Sequence, residues 1–172
     1  MTLPAVSERR PSSRYVLTAA AVALAAYIAW TAVRAVASGT LSELPNPHLA
    51  PAEVVRIQVA ALRQGTESQE GIAVAFRFAS PSNQARTGPI THFSSMIRSE
   101  TYLPLLDNVS VQYGRTLTRA DRSYTALIVT DRRGVSSAFM WVLSRQGPGS
   151  CENCWMTESV MPIGDMRSLR FA

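Results

Sequence analysis

RSYTALIVTDRRGVSSAFMWVLSR, from Arg122 to Arg145, decides the fold. Two runs of strand character, Arg122–Thr130 and Val135–Arg145, flank Asp131-Arg132-Arg133-Gly134, which reads as a hairpin turn. Side chains alternate across a strand, so Phe139, Trp141 and Leu143 fall on one face of the second arm. Ala138, Met140 and Val142 fall on the other. A sheet with helices on one side needs only one apolar face. A second apolar face therefore implies a pocket or burial by another protein chain. Phe139, Met140, Trp141 and Val142 are the candidate partner or pocket face on this ground.

Working outward, NVSVQYGRTL (Asn108–Leu117) sets Val109, Val111 and Tyr113 against Ser110 and Gln112, and CWMTESVM (Cys154–Met161) reads as a fourth strand. The chain before Asn108 is helical in pattern. PAEVVRIQVAALRQ (Pro51–Gln64) carries a broad apolar face of Val54, Val55, Ile57, Val59 and Leu62. Pro51 suits its first turn and Gly65 ends it. Gln69–Ser80 reads as a second short helix closed by Ser80-Pro81, and Pro89–Ser99 as a third. Helices first and an antiparallel meander after them give the class α+β.

RYVLTAAAVALAAYIAWTAVRA, from Arg14 to Ala35, holds 19 uncharged residues between its arginines, Tyr15 to Val33. A helix of that length rises about 28 Å at 1.5 Å per residue, close to a hydrocarbon core of roughly 30 Å. Signal-peptide cores are shorter, and Tyr15, Tyr27 and Trp30 stand where interfacial aromatics stand. AVAS at Ala35–Ser38 has the small-x-small look of a cleavage site, but Arg34 precedes it and it lies far from the start. A retained single-pass helix is the expectation. Three arginines before the span and one after it put the N-terminus in the cytoplasm and the domain in the periplasm of a bacterial inner membrane. Ala21, Ala25 and Ala29 recur every fourth residue, a small-residue stripe on which another membrane helix would pack. The expected division is a basic tail at 1–14, a transmembrane helix at 15–35, a Pro-rich linker at 36–51, an α+β domain at 52–163 and a tail at 164–172. Pro45, Pro47 and Pro51 should make the linker stiff and extended.

The net charge of +5 divides as +3 on residues 1–34 and +2 on the rest. The domain is thus nearly balanced, which argues against nucleic acid as a partner, since that needs a concentrated basic face. All 17 basic side chains are arginine, for which codon usage is a plainer cause than anion binding at every one.

AALRQ, GIAVAFRFASPSNQARTGPITHFSSMI, YLPLLDN and CWMTESVMPI carry a family resemblance. The segment from about Pro51 to Pro162 resembles an uncharacterised family of domains with a nuclear transport factor 2-like fold. FASPSNQ, TGP and the Phe, Met, Tyr and Leu-Leu that follow look like its core signature. The resemblance implies a cone, with a curved antiparallel sheet wrapped around N-terminal helices. It implies no reaction. The membrane helix lies outside it.

Candidate sites are few. Cys151-Glu-Asn-Cys154 is the only cysteine pair. It reads as a hairpin-tip disulfide in an oxidising compartment, or as two unpaired thiols. Zinc would need two more ligands, and His48 and His92 are distant in sequence. A redox-active pair needs its first cysteine at a helix N-terminus, whereas Gly147-Pro148-Gly149 precedes this one. His92 with Asp107 or Glu100 has the chemistry of a general-base pair, but THFSSMI is also an ordinary amphipathic turn. Arg119 and Arg122 flank one presumed turn and Arg132 and Arg133 sit in the next, as solvated hairpin ends or as contacts for acidic loops or headgroups. Tyr102, Trp141 and Trp155 read as core, with part of the set available to a pocket. A ligand-holding cone should be lined by Phe76, Phe78, Tyr113, Phe139 or Trp141 with a buried polar group. No cofactor, metal or catalytic set is expected.

The expected function is a non-catalytic, membrane-anchored accessory or stabilising subunit of a larger bacterial membrane complex, respiratory or photosynthetic. Its partners would be the bilayer and other membrane subunits. The alternatives are an anchored ligand-binding module or enzyme using the cone, and a homodimer through the open sheet face with a symmetric contact at Met140.

Overall fold

The computed structural model describes residues 42–66, 68–149 and 151–165. The expected membrane helix, its Ala21, Ala25 and Ala29 stripe and the basic tail lie outside these residues. Among the described residues no helix is long and apolar enough to cross a membrane.

Helix α1, Pro51–Gln64, starts with Pro51 where a missing N–H is harmless. Ala50 has no side chain to cap with, and the Glu53 carboxylate instead accepts the Ala50 N–H at 2.7 Å. Val54, Val55, Gln58, Val59, Ala61 and Leu62 bury one face of it. Helix α2, Gln69–Arg77, folds back across α1 and buries Gly71, Ile72, Val74 and Ala75.

The expected second helix ran to Ser80, but α2 stops three residues earlier, at Arg77. Phe78 closes the helix in a turn and Ala79 bridges to Thr157: Thr157 donates its N–H to Phe78 at 2.9 Å and Ser80 donates to Thr157 at 2.9 Å. A buried strand edge needs its backbone groups paired, and that need outweighs one more helical turn. Ser80 is also biased away from helix by the proline that follows. Helix α3, Pro81–Thr87, was not expected; Ser80 caps it, its Oγ accepting the Asn83 N–H at 3.1 Å. Helix α4, Ile90–Ile97, lies inside the expected Pro89–Ser99. A single turn, α5, follows at Leu103–Leu106.

Strands β1 (Asn108–Arg119), β2 (Arg122–Asp131), β3 (Ser136–Arg145) and β4 (Trp155–Asp165) form an open antiparallel sheet in the order β1-β2-β3-β4. The helices pack on its inner face, giving an α+β domain. In the β2–β3 turn, Asp131 Oδ1 accepts the N–H groups of Arg133 at 2.9 Å and Val135 at 2.8 Å. Gly134, at φ 77, closes that turn. Register shifts after Asn108, after Tyr113 and at two points of β3–β4 mark bulges that bend the sheet. In β1, Val109 stands 49% exposed at the register shift after Asn108, and Tyr113 stands 38% exposed although its register partner Leu127 is buried. Pro162, on the outer edge strand, has no N–H to leave unpaired.

Trp141, Phe78, Phe139, Ile72, Leu105 and Leu127 are among the largest fully buried side chains of the core. The linker's end is a turn rather than an extended spacer. Asn46 Oδ1 accepts the His48 N–H at 3.1 Å, its Nδ2 donates to Leu44 at 3.2 Å, and Leu49 lies against the core. An Asn side chain followed by proline favours such a turn over an extended path.

Candidate functional site

The helical layer does not fill the concave side of the sheet. A cavity of about 200 Å³ remains there, lined by α1, α3, α4, Tyr102, Trp141 and residues 157–160 of β4. Its walls are Leu62, Phe93, Met96, Ile97 and Leu105. Its polar lining is built around Gln58. Trp141 Nε1 donates to Gln58 Oε1 at 2.9 Å and Thr157 Oγ1 donates to the same oxygen at 2.6 Å. Gln58 Nε2 in turn donates to the Ala75 carbonyl at 2.9 Å. All three side chains are buried, so the network holds α1, the end of α2, β3 and β4 in one register. Tyr102 donates its hydroxyl to the Val160 carbonyl at 3.1 Å and ties the next stretch to the β4 edge.

The exposed side of the cavity is made by α3 and Glu158. Asn83 Nδ2 donates to the Thr157 carbonyl at 3.0 Å, and Gln84 Nε2 to Phe76 at 3.1 Å and Ala79 at 3.0 Å. The SPSNQ run is thus a clamp of α3 onto α2 and β4, with each polar side chain given a backbone partner or a place in a hydroxyl chain. Ser82 Oγ donates to Glu158 Oε2 at 2.7 Å, Ser144 Oγ donates to Oε1, and Arg86 Nη2 donates to the Glu158 carbonyl at 2.6 Å.

Burial raises the Glu158 pKa, but the hydroxyls of Ser144, Ser82 and Ser80 and the charge of Arg122 together hold it below the ordinary value of 4.5. For Asp131 the Val135 N–H is the main cause of a lowered pKa, with Arg133 adding to it. A carboxylate depressed in the folded state contributes stability above its unfolded pKa and loses it as pH falls through its folded value. The melting temperature should therefore hold steady down to about pH 4.5 and fall below it. Glu158→Gln should make that acid fall shallower, measured by circular dichroism melts from pH 7 to pH 3. An unchanged acid profile in Glu158→Gln would refute the role given to its carboxylate.

Of the residues expected to line a cone, only Trp141 does so. Phe78 and Phe139 are 0% and 1% exposed and fill the core beside the cavity. Phe76 packs on Phe93 with ring centroids 5.1 Å apart. Tyr113 lies at the sheet margin under the Arg56 guanidinium, 5.6 Å from ring centre to Cζ. The candidate set Phe139, Met140, Trp141 and Val142 divides between two faces. Phe139 and Trp141 face the helices; Met140 and Val142 face away.

That outer face carries Leu117 at 58% exposure, Tyr124 at 41% and Met161 at 48%, around the half-buried Ile128 and Met140. The registers Tyr124↔Val142, Ala126↔Met140, Ile128↔Ala138 and Met140↔Met161 make it a continuous apolar band across three strands, extended to β1 by Leu117↔Tyr124.

The general-base pair is not assembled. Arg132 Nε donates to Asp107 Oδ1 at 2.7 Å, and His92 is exposed on α4. Glu100 lines a separate surface cleft with Asp107, Asp131 and Arg133. Arg119 and Arg122 pair across the β1–β2 turn, both exposed. Trp155 packs half-buried against the core. Among the described residues no cluster of His, Cys, Asp and Glu is placed to hold a metal.

Cys151 and Cys154 are joined in a disulfide at the base of the β3–β4 loop. Cys154 is fully buried, and Cys151 Sγ lies 3.4 Å from the Pro45 carbonyl oxygen. With a sequence separation of 3, chain entropy alone gives it about 2 kcal/mol. Reduction should lower the melting temperature by no more than about 8 °C and leave the fold intact, read by far-UV circular dichroism with and without reductant.

Sequence similarity covers most of this architecture. A family model described as "Domain of unknown function (DUF4864)" matches residues 49–163, from the packed Leu49 to within two residues of the end of β4. No curated protein and no solved structure matches the chain.

Proposed function

The chain belongs to the DUF4864 family over residues 49–163, and on that premise we propose that it is a non-catalytic, single-pass accessory subunit of a larger bacterial membrane complex. The domain docks through the outer face of its sheet. The observation that carries the reading is the apolar band of Leu117, Tyr124, Ile128, Met140 and Met161. A solvated antiparallel sheet face is ordinarily polar, and a contiguous apolar patch marks an interaction site. The uncharged run Tyr15–Val33 supports anchoring in the bilayer. The Cys151–Cys154 disulfide supports a periplasmic position for the domain. Helices over a sheet bent by bulges fit a nuclear transport factor 2-like cone, a fold compatible with docking and with ligand binding alike.

The test is a photo-crosslinking residue at Met140 in the full chain, in native membranes, with Arg63 on the exposed side of α1 as control. Mild-detergent purification and intact-particle mass follow. The reading requires one stoichiometric membrane protein joined at Met140 and none at Arg63. A monomer with no adduct at Met140 overturns it, and an adduct only between two copies replaces it with the homodimer.

A further inference from the structure

The cavity lies on the face of the sheet opposite the docking band, and the partner reading does not use it. We propose that it binds a small, mainly apolar monocarboxylic acid, apolar end inward and carboxylate at Arg86. Protein interiors hold few voids larger than a water molecule. A cavity of about 200 Å³ walled by Phe93, Met96 and Ile97 forfeits contacts unless something fills it. Its volume lies below the roughly 300 Å³ at which drug-sized pockets begin, so the occupant has on the order of ten heavy atoms.

The hydrogen-bond inventory gives the orientation. The Trp141 N–H and the Thr157 hydroxyl proton are both spent on Gln58 Oε1. The Tyr102 hydroxyl proton is spent on the Val160 carbonyl. What those hydroxyls still offer is acceptor capacity, and the single N–H that Gln58 Nε2 does not give to Ala75 is too little to solvate an anion, so a carboxylate placed inside would meet mainly oxygen lone pairs in a dry site. The anionic head belongs outside.

Arg86 stands there on α3, its side chain 58% exposed. Only its Nη2 has a hydrogen-bond partner among the described residues, the Glu158 carbonyl at 2.6 Å. Glu158 is a weak competitor for the rest of the guanidinium. Its nearest carboxylate oxygen is 3.8 Å from Arg86, and Ser82 and Ser144 already occupy both oxygens. The planar fork therefore retains N–H groups for a carboxylate, the geometry arginine matches best.

Para-fluorobenzoate is a probe of the right size and charge. Fluorine NMR titration into the full chain in lipid nanodiscs, with empty nanodiscs subtracted, should show saturable binding at submillimolar concentration. Para-fluorobenzamide, the uncharged isostere, should bind at least about tenfold more weakly, and Arg86→Gln should weaken the acid by a similar factor. Met96→Trp, which fills the cavity, should abolish binding. Should that variant misfold, the amide and Arg86→Gln still decide the matter. No saturable binding overturns the site. Equal binding of acid and amide, or binding that survives Met96→Trp in a folded protein, overturns it equally.

Discussion

Replacing Gly71 with alanine is expected to lower the melting temperature by about 10 °C, a loss of roughly 3 kcal/mol. The reason is where α2 crosses α1. A Cβ at position 71 would collide with the Ala61 carbonyl oxygen and stand 2.9 Å from the Gly65 nitrogen. Those are backbone atoms, so no side chain can swing aside. The two helices must separate, and their contact buries Ile72, Val74 and Ala75 on one side and Ala61 and Leu62 on the other. Overpacking ordinarily costs about 1–3 kcal/mol, and a rigid backbone neighbour puts this site at the upper end. Gly147→Ala is the control, because nothing lies within 4 Å of its added carbon. If Gly71→Ala melts within a degree or two of both Gly147→Ala and the native chain, the close crossing is not what holds α1 and α2 together.

The same crossing shows what the sequence can and cannot tell. The four strands, the Asp131–Gly134 turn and α1 were readable, because period-2 alternation and a broad helical stripe each specify a local structure. Gly71 inside GIAVAF carries no such mark; its role depends on the backbone of Ala61, ten residues upstream in α1. Ser80-Pro81 reads as the end of a helix and is instead the start of one, the preceding helix having stopped at Arg77. A capping serine and an N1 proline give the same letters either way, and only the pairing of Phe78–Ser80 with Thr157 decides where the break falls.

The site was less legible than the fold. Aromatic residues were the natural candidates for a cavity wall, yet Phe78 and Phe139 are consumed by the core. The residue that organises the polar side of the cavity is Gln58, and it had a signal. It follows Val54 by four positions and Val55 by three, so it sits on the buried stripe of α1. A glutamine among valines on such a stripe must find partners, and these partners come from strands 83 and 99 residues away. Strict period-2 alternation would make its counterpart Glu158 a polar alternate of the fourth strand. A bulge next to Thr157 turns it toward Ser82 and Ser144 instead.

Gln58→Leu is the variant with the largest expected cost. It keeps the volume and removes the amide, leaving the Trp141 N–H, the Thr157 hydroxyl and the Ala75 carbonyl without their partner. Each orphaned buried group costs about 1–3 kcal/mol. Three orphaned groups at the lower part of that range give an expected net loss of about 4 kcal/mol. Thr157→Val alone removes one hydroxyl and leaves Gln58 still holding Trp141, and should cost about 1 kcal/mol. The two changes should then fail to add. Once Gln58 is gone the Thr157 hydroxyl is a liability, so the double variant should be no less stable than Gln58→Leu alone, a coupling of about 1 kcal/mol. Hydrogen exchange of the Trp141 indole gives an independent reading: protected in the native chain, fast in Gln58→Leu, and unchanged in Thr157→Val. Strict additivity of the two losses, or an indole that stays protected without Gln58, would mean that the glutamine is packed beside these groups without organising them.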